Sequence, residues 1–244
     1  MKIYVAGAGK REEHLRALIL EKGHTLPHHG PWDMVVLEMP RSSLREELAD
    51  ALPAGQKVVC GITDEAFDKL AEKRGWRLLR ILQDEAFAQQ NAALTAQGAL
   101  CAAMNACDLA LSDARCLVIG YGRIGTRLTG LLRSLGAKVT VAARRKESRE
   151  LAGENSVPID EIRSVLPHTD LIFNTVPASV LNRELLNAVS SRCLLMELAG
   201  KPYGIDLEAA RAMGLKALLE SGVPGRYFPR SAASAMLQFI ERIE

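Results

Sequence analysis

The residues best suited to chemistry lie in one stretch: Gly120, Gly122 and Gly125, with Tyr121, Arg123 and Ile124 between them, behind the apolar run Cys116 to Ile119. Glycines at this spacing, between a strand and a helix, suit a dinucleotide's diphosphate. The first permits a tight turn, the second lets the diphosphate approach the main chain, and the third lets the helix pack closely on the sheet. The helix start adds free N–H groups and the positive end of its dipole. Three glycines alone would say little, but here a helix pattern through Leu135 and a second strand, Lys138 to Ala142, follow in the right places. All six residues from Gly120 to Gly125 are therefore read as cofactor-binding.

After that second strand come Ala143, Arg144, Arg145 and Lys146. NAD-preferring domains carry an Asp or Glu near this point, where it accepts hydrogen bonds from the adenosine ribose. Two guanidiniums and an ammonium suit a 2′-phosphate instead, so the sequence predicts NADP(H) in preference to NAD(H). The alternative for this run is a solvated basic turn. Two further strand ends fall on the same sheet edge: Thr175, Val176 and Pro177, beside the expected position of the nicotinamide ribose, and Ala199 with Lys201 and Pro202.

These residues need a layered scaffold to hold them. Strands are predicted at Lys2 to Ala6, Met34 to Leu37, Lys57 to Cys60 and Trp76 to Arg80, with helices at Glu12 to Glu21, Ser43 to Ala51 and Asp64 to Lys73. An Ala-rich stretch without proline, Asp84 to Ala110, reads as a long connecting helix. A second series of strands follows at Cys116 to Gly120, Lys138 to Ala142, Leu171 to Asn174, Leu194 to Leu198 and Leu215 to Leu218, in a doubly wound order. Asp206 is the expected N-cap of a helix beginning near Leu207. The last helix is expected to start with Ser231 as N-cap and to bury Ala235, Met236, Phe239, Ile240 and Ile243. The fold class is therefore α/β, with two domains, each an open parallel sheet flanked by helices. Residues 1–90 form a flavodoxin- or Rossmann-like substrate domain and 91–112 the connector. Residues 113–228 form the Rossmann dinucleotide-binding domain, and 229–244 a helix packing back near the first domain.

Composition narrows the partners. The chain has 244 residues and a net charge of +2, with Lys and Arg spread along the sequence and no basic run beyond the short Arg144 to Lys146, so neither nucleic acid nor a membrane surface is indicated, and a small molecule is favoured. Five cysteines, odd in number and without a C-x-x-C pair, argue against a disulfide framework and a zinc site, and no metal is expected. With no signal-peptide pattern, the expected location is the cytoplasm.

From Asn91 to Met236 the chain resembles the family of dipicolinate synthase A subunits. The motifs are Asn91 to Thr95 with Gly98, Gly120 to Gly125, Ala143-Arg144, Asn174 to Pro177, Val180 to Asn182, Glu197 to Asp206, Lys216 to Leu219 and Gly222 to Gly225. Gln97 stands where the family pattern has an acidic residue, and the first domain is shorter than usual. The resemblance implies NADP-dependent oxidation of a dihydro- or tetrahydrodipicolinate-type intermediate to dipicolinate during sporulation. It also implies a small dicarboxylate substrate, a homo-oligomer and, as partner, a flavoprotein B subunit. Pro224, in the last motif, joins the cofactor set.

Asn91 and Thr95, one helical turn apart, can offer an amide and a hydroxyl to a substrate carboxylate or ring nitrogen; capping or interdomain packing is the alternative. Lys10 and Arg11, after Gly7 and Gly9, are candidates for an anionic substrate, the alternative being an ordinary β-α turn with solvated charges. Lys201 is a third such cation. No catalytic residue stands out. A D-2-hydroxyacid dehydrogenase would need an imidazole acid-base late in the chain, and the only histidine after the glycine loop, His168, precedes a strand and so falls at the wrong sheet edge. A non-catalytic NADP-binding protein that works through its partner is the remaining alternative.

Overall fold

The computed structural model describes residues 1–40, 42–44 and 46–244. It divides into two compact units, Met1–Asn91 with Pro224–Glu244, and Ala92–Val223.

The first unit alternates β1 (Ile3–Val5), α1 (Lys10–Glu21), β2 (Met34–Val36), α2 (Glu46–Ala51), β3 (Lys57–Cys60), α3 (Glu65–Arg74) and β4 (Arg77–Arg80). The strands are parallel, in the order β1-β2-β3-β4. A single parallel bridge, Lys2 with Thr25, flanks β1 on its other side. Helix α1 thus returns to the outer flank of β1 before the chain crosses to β2, and the winding reverses at β1. The two faces differ accordingly: Leu15 and Ile19 of α1 share one core with Ile3 and Val36, whereas Ala49 of α2 and Phe67 and Ala71 of α3 share the other with Val35 and Val58.

A 22-residue helix, α4 (Glu85–Ala106), follows, and the division between units falls inside it. Asp84 sits ahead of it and accepts from Phe87 N at 2.7 Å, so the helix begins one residue later than predicted. It ends at Ala106 rather than Ala110, and Leu111–Asp113 form a 3-10 turn.

The second unit contains β5 (Arg115–Ile119), α5 (Arg123–Ser134), β6 (Lys138–Ala142), α6 (Lys146–Ala152), β7 (Ser156–Val157), β8 (Leu171–Asn174), α7 (Arg183–Leu186), β9 (Leu194–Glu197), α8 (Leu207–Ala212) and β10 (Lys216–Leu219). All six strands are parallel, ordered β10-β9-β8-β5-β6-β7. The winding reverses between β5 and β8, where Ile119 pairs with Asn174, and at such a point neighbouring loops diverge and open a crevice. Strands β5, β8 and β9 read as continuous apolar runs because helices cover both faces of the sheet. Asp206 caps α8, accepting from Ala209 N at 2.9 Å.

Last come α9 (Val223–Tyr227) and α10 (Pro229–Arg242). The expected cap at Ser231 is corrected: α10 begins at Pro229, whose fixed φ suits a first helical position, so Ser231 lies within the first turn. Ala235, Met236, Phe239 and Ile240 are buried beside α1, while Ile243 is half-buried past the helix end. Other ends shift too: α1 starts at Lys10 rather than Glu12, β4 at Arg77 rather than Trp76, and β10 spans Lys216–Leu219 rather than Leu215 to Leu218. The helix predicted from Ser43 includes Arg45, outside the described residues; the described helix is α2. Residues 224–228, assigned from sequence to the rear domain, group with the first unit, where Gly225 packs against Arg11.

No helix among the described residues is long and apolar enough to cross a membrane. All five cysteines are free. Burial pushes the thiols of Cys116 and Cys193 up to about 12 and raises that of Cys60. A thiolate reagent at pH 8 is therefore expected to modify only Cys101 and Cys107 rapidly in the native protein, and every cysteine after denaturation. Mass mapping that found Cys116 or Cys193 labelled at the early times would contradict this packing.

Candidate functional site

At the carboxyl edge of the second sheet the chain leaves β5 through Gly120, whose φ of 95° lies in the left-handed region. A Cβ there would stand 2.5 Å from Thr175 Oγ1 and 2.7 Å from Val176 Cγ2. Thr175 is itself fixed, donating from Oγ1 to Ile119 O at 2.9 Å. At Gly125 a Cβ would fall 2.1 Å from Gly120 O, so α5 lies this close to the turn only with glycine at that position. These two glycines are required by the protein's own packing.

Gly122 is different. Its backbone is extended, with φ −86° and ψ −163°, it is exposed, and a Cβ would meet no atom within 4 Å. Nothing in the fold demands glycine here, so the bare main chain faces open space that a side chain would fill. Gly122 is also the N-cap of α5 and supplies no side-chain cap, so the cap residue places no side chain over the positive end of the helix. An open main chain at the positive end of a 12-residue helix fits a diphosphate.

Around this turn is a cleft of about 230 Å³. Gly120, Tyr121 and Gly122 line it from the β5 turn, Ala143, Arg144, Arg145 and Ser148 from the β6–α6 connection, Ile159 from the segment after β7, and Thr175, Val176 and Pro177 from the end of β8. Ala142 and Ala143 are buried at the end of β6, so no carboxylate stands where a ribose acceptor would. Arg144 and Arg145 are exposed, and neither side chain makes an ion pair or hydrogen bond with another described residue. The turn that carries them is braced: Arg149 Nη1 donates to Ala143 O at 2.9 Å and to Arg144 O at 2.7 Å.

Behind the cleft lies a polar network whose assembly the sequence motifs did not reveal. Glu197, the last residue of β9, is fully buried. Its Oε1 accepts from Asn174 Nδ2 at 2.7 Å and from Ala199 N at 2.8 Å, and its Oε2 from Gly204 N and Ile205 N, both at 2.9 Å. Burial pushes this carboxyl above its ordinary value, and the four hydrogen bonds pull the other way. Asn174 also donates from Nδ2 to Val176 O at 3.0 Å.

Of the residues proposed from sequence, Gly120, Tyr121, Gly122, Ala143, Arg144, Arg145, Thr175, Val176 and Pro177 lie together around this cleft. Arg123, Ile124 and Gly125 form the first turn of α5 behind it. Lys146 is 3.7 Å from Glu150 and outside the lining. Ala199 is spent on Glu197 rather than on the cleft surface, and Pro224 is buried in α9. Lys201 is exposed, 5.9 Å from the Tyr203 ring.

In the first unit Lys10 is exposed, but Arg11 turns back, donating from Nη2 to Glu12 Oε1 and Met39 O, both at 2.6 Å. Its guanidinium is thus committed to its own loop in this conformation. Asn91 is half-buried and Thr95 buried along α4. His168 precedes β8, at the amino edge of the sheet, opposite the cleft. Ser148 and Ile159 line the cleft in addition to the residues expected from sequence. Ser148 follows the basic run closely enough to have been found, whereas Ile159 follows a two-residue strand too short to show a pattern. Among the described residues no group of three or more His, Cys, Asp or Glu is placed to hold a metal.

The second unit is thus a doubly wound, Rossmann-type domain, and residues 84–194 match the model of the D-isomer specific 2-hydroxyacid dehydrogenase NAD-binding domain. Its glycine turn and cleft are those of an NAD(P)-binding domain. More particularly, the chain is similar to the A subunit of dipicolinate synthase from Bacillus subtilis (strain 168), with 27% identity over 205 residues, 82% of this chain and 68% of that one. Two solved structures share the fold. The A subunit of the Bacillus halodurans synthase superposes with a TM-score of 0.89 at 23% identity, covering 99% of this chain and 97% of that one. Its Bacillus subtilis counterpart gives 0.88 at 22%, covering 100% and 95%. The resemblance read from the motifs therefore extends over most of the sequence, and the two-unit α/β fold is that of the A subunit.

Proposed function

We propose that this chain is an NADP-linked oxidoreductase of the dipicolinate synthase A type, converting a dihydro- or tetrahydrodipicolinate-type ring to pyridine-2,6-dicarboxylate. The observation that carries the cofactor choice is the pair Arg144 and Arg145, exposed at the cleft on a braced turn, with the buried Ala142 and Ala143 rather than an acidic residue at the end of β6. The substrate rests on the similarity to the Bacillus subtilis protein.

When bound, NADP⁺ would supply the hydride acceptor: a dihydro ring gives up one hydride and one proton to become aromatic, and a tetrahydro ring gives up two of each to two equivalents of NADP⁺. The protein's part is orientation. Gly122 and the first turn of α5 seat the diphosphate, Arg144 and Arg145 hold the 2′-phosphate, and Thr175 to Pro177 form the wall against the nicotinamide ribose. Lys10, Asn91, Thr95 and Lys201 are each proposed singly as a contact for a substrate carboxylate, and Arg11 only on release from Glu12. Gain of aromaticity drives the step. A homo-oligomeric state, a flavoprotein B subunit and a cytoplasmic location in a spore former complete the proposal. The dehydrogenase alternative is weaker, because His168 lies at the edge opposite the cleft.

The test mixes the chain with the condensation product of aspartate semialdehyde and pyruvate and with a flavoprotein B subunit, in the presence of NADP⁺, NAD⁺ or neither. Ultraviolet absorption of dipicolinate appearing fastest with NADP⁺ is the expected result. Absence of product under every condition overturns the activity. Product only when the B subunit is present, with NADPH bound but not turned over by the chain alone, would instead make this chain a cofactor-presenting protein.

A further inference from the structure

Glu197 touches no part of the cleft surface, yet every acceptor position on its carboxylate is filled by an N–H donor. Those donors come from two separate segments of the sheet's carboxyl edge, Asn174 at the end of β8 and the loop from Ala199 to Ile205. We infer that Glu197 is a positioning residue for dinucleotide binding, its buried anion clamping the 199–205 loop to the 174–176 turn and so setting the cleft wall. The inference rests on the reading of this cleft as the dinucleotide site.

Its logic is one of donors and acceptors. A carboxylate can accept all four bonds, whereas a carboxylic acid or an amide places a hydrogen against at least one inward-pointing donor. Flipping Asn174 cannot relieve the conflict, because its amide is already fixed by Val176: Nδ2 donates to Val176 O, and Val176 N donates to Oδ1 at 3.3 Å. The clamp is also close-packed, since a Cβ on Gly204 would fall 2.4 Å from Asn174 Nδ2 and 2.7 Å from Val176 O. Through Asn174 the clamp passes directly to Val176, which lines the cleft and whose Cγ2 lies against Gly120. Displacement at Glu197 therefore reaches the glycine turn through three contacts, by way of Asn174 and Val176.

The expected behaviour separates this role from that of Arg144 and Arg145. Glu197→Gln should weaken NADPH and NADH binding by the same factor, tenfold or more, because the wall serves both cofactors. Amide hydrogen exchange at Ala199, Gly204 and Ile205 should quicken in the same variant, with or without cofactor. Asn174→Ala, which leaves the carboxylate its three main-chain donors, is the milder variant, to be used should the first fail to fold. It should also weaken both cofactors equally, while exchange at Gly204 and Ile205 stays slow.

Wild-type affinity for both cofactors in either folded variant would overturn the positioning role, as would a loss confined to NADPH. Wild-type protein that binds neither cofactor would instead sink the reading of the cleft, and unchanged exchange in Glu197→Gln would then still refute the clamp.

Discussion

Gly122→Val should abolish dinucleotide binding and leave the fold intact. The two effects separate because the backbone at Gly122 is extended, a conformation valine adopts readily, and because its Cβ would touch no protein atom. The added side chain would occupy only the space through which a diphosphate reaches the main chain. Losing charge-assisted contacts between that diphosphate and the first N–H groups of α5 should raise the dissociation constant about 100-fold or more, on the order of 3 kcal/mol. Fluorescence titration with NADPH and a thermal melt, run side by side, measure both halves. Affinity equal to that of the wild type would move the site elsewhere. The neighbouring glycine provides the contrast: alanine at Gly120 meets Thr175 Oγ1 at 2.5 Å in a left-handed backbone and should lower the melting temperature before any ligand is added.

The second large effect is expected for Arg144→Asp with Arg145→Ala. Both guanidiniums are exposed beside the cleft and uncommitted to other described residues, so their removal should cost the protein little stability. A hydrogen bond to a charged group contributes about 1.5–3 kcal/mol, so losing one or more at the 2′-phosphate should weaken NADPH by roughly 10- to 100-fold or more. NADH, which has no phosphate there, should change by only a few fold, and the aspartate can accept from its ribose hydroxyls. Isothermal titration with both cofactors gives the ratio directly. Equal weakening of the two would mean that the basic turn does not read the phosphate.

Much of the cleft lining was legible because its parts are contiguous in sequence. The run from Cys116 to Gly125, the basic turn after Ala142 and the segment Thr175 to Pro177 each follow a strand, and a doubly wound parallel sheet brings successive strand ends to one edge. Substrate residues were harder to read, because a lone cation or amide takes its role from neighbours distant in the chain. Arg11 looked like a free cation on the strength of its place after a glycine turn, but Glu12 is buried beside it and Met39 O accepts a second bond. Ser231 had the right chemistry for a cap, yet Pro229 starts the helix earlier.

By itself the sequence determined the α/β class, the strand-turn-helix that suits a diphosphate, and the lack of a carboxylate after β6, because each depends on periodicity or on residues a few positions apart. Only the tertiary structure decided which glycines answer to packing and which to open space, since Thr175 lies on another strand from the turn it crowds. It also decided that every acceptor position of the buried Glu197 carboxyl meets a donor: those donors lie 2, 7, 8 and 23 residues away, and only the pairing of β8 with β9 and the fold of the following loop bring them to one group.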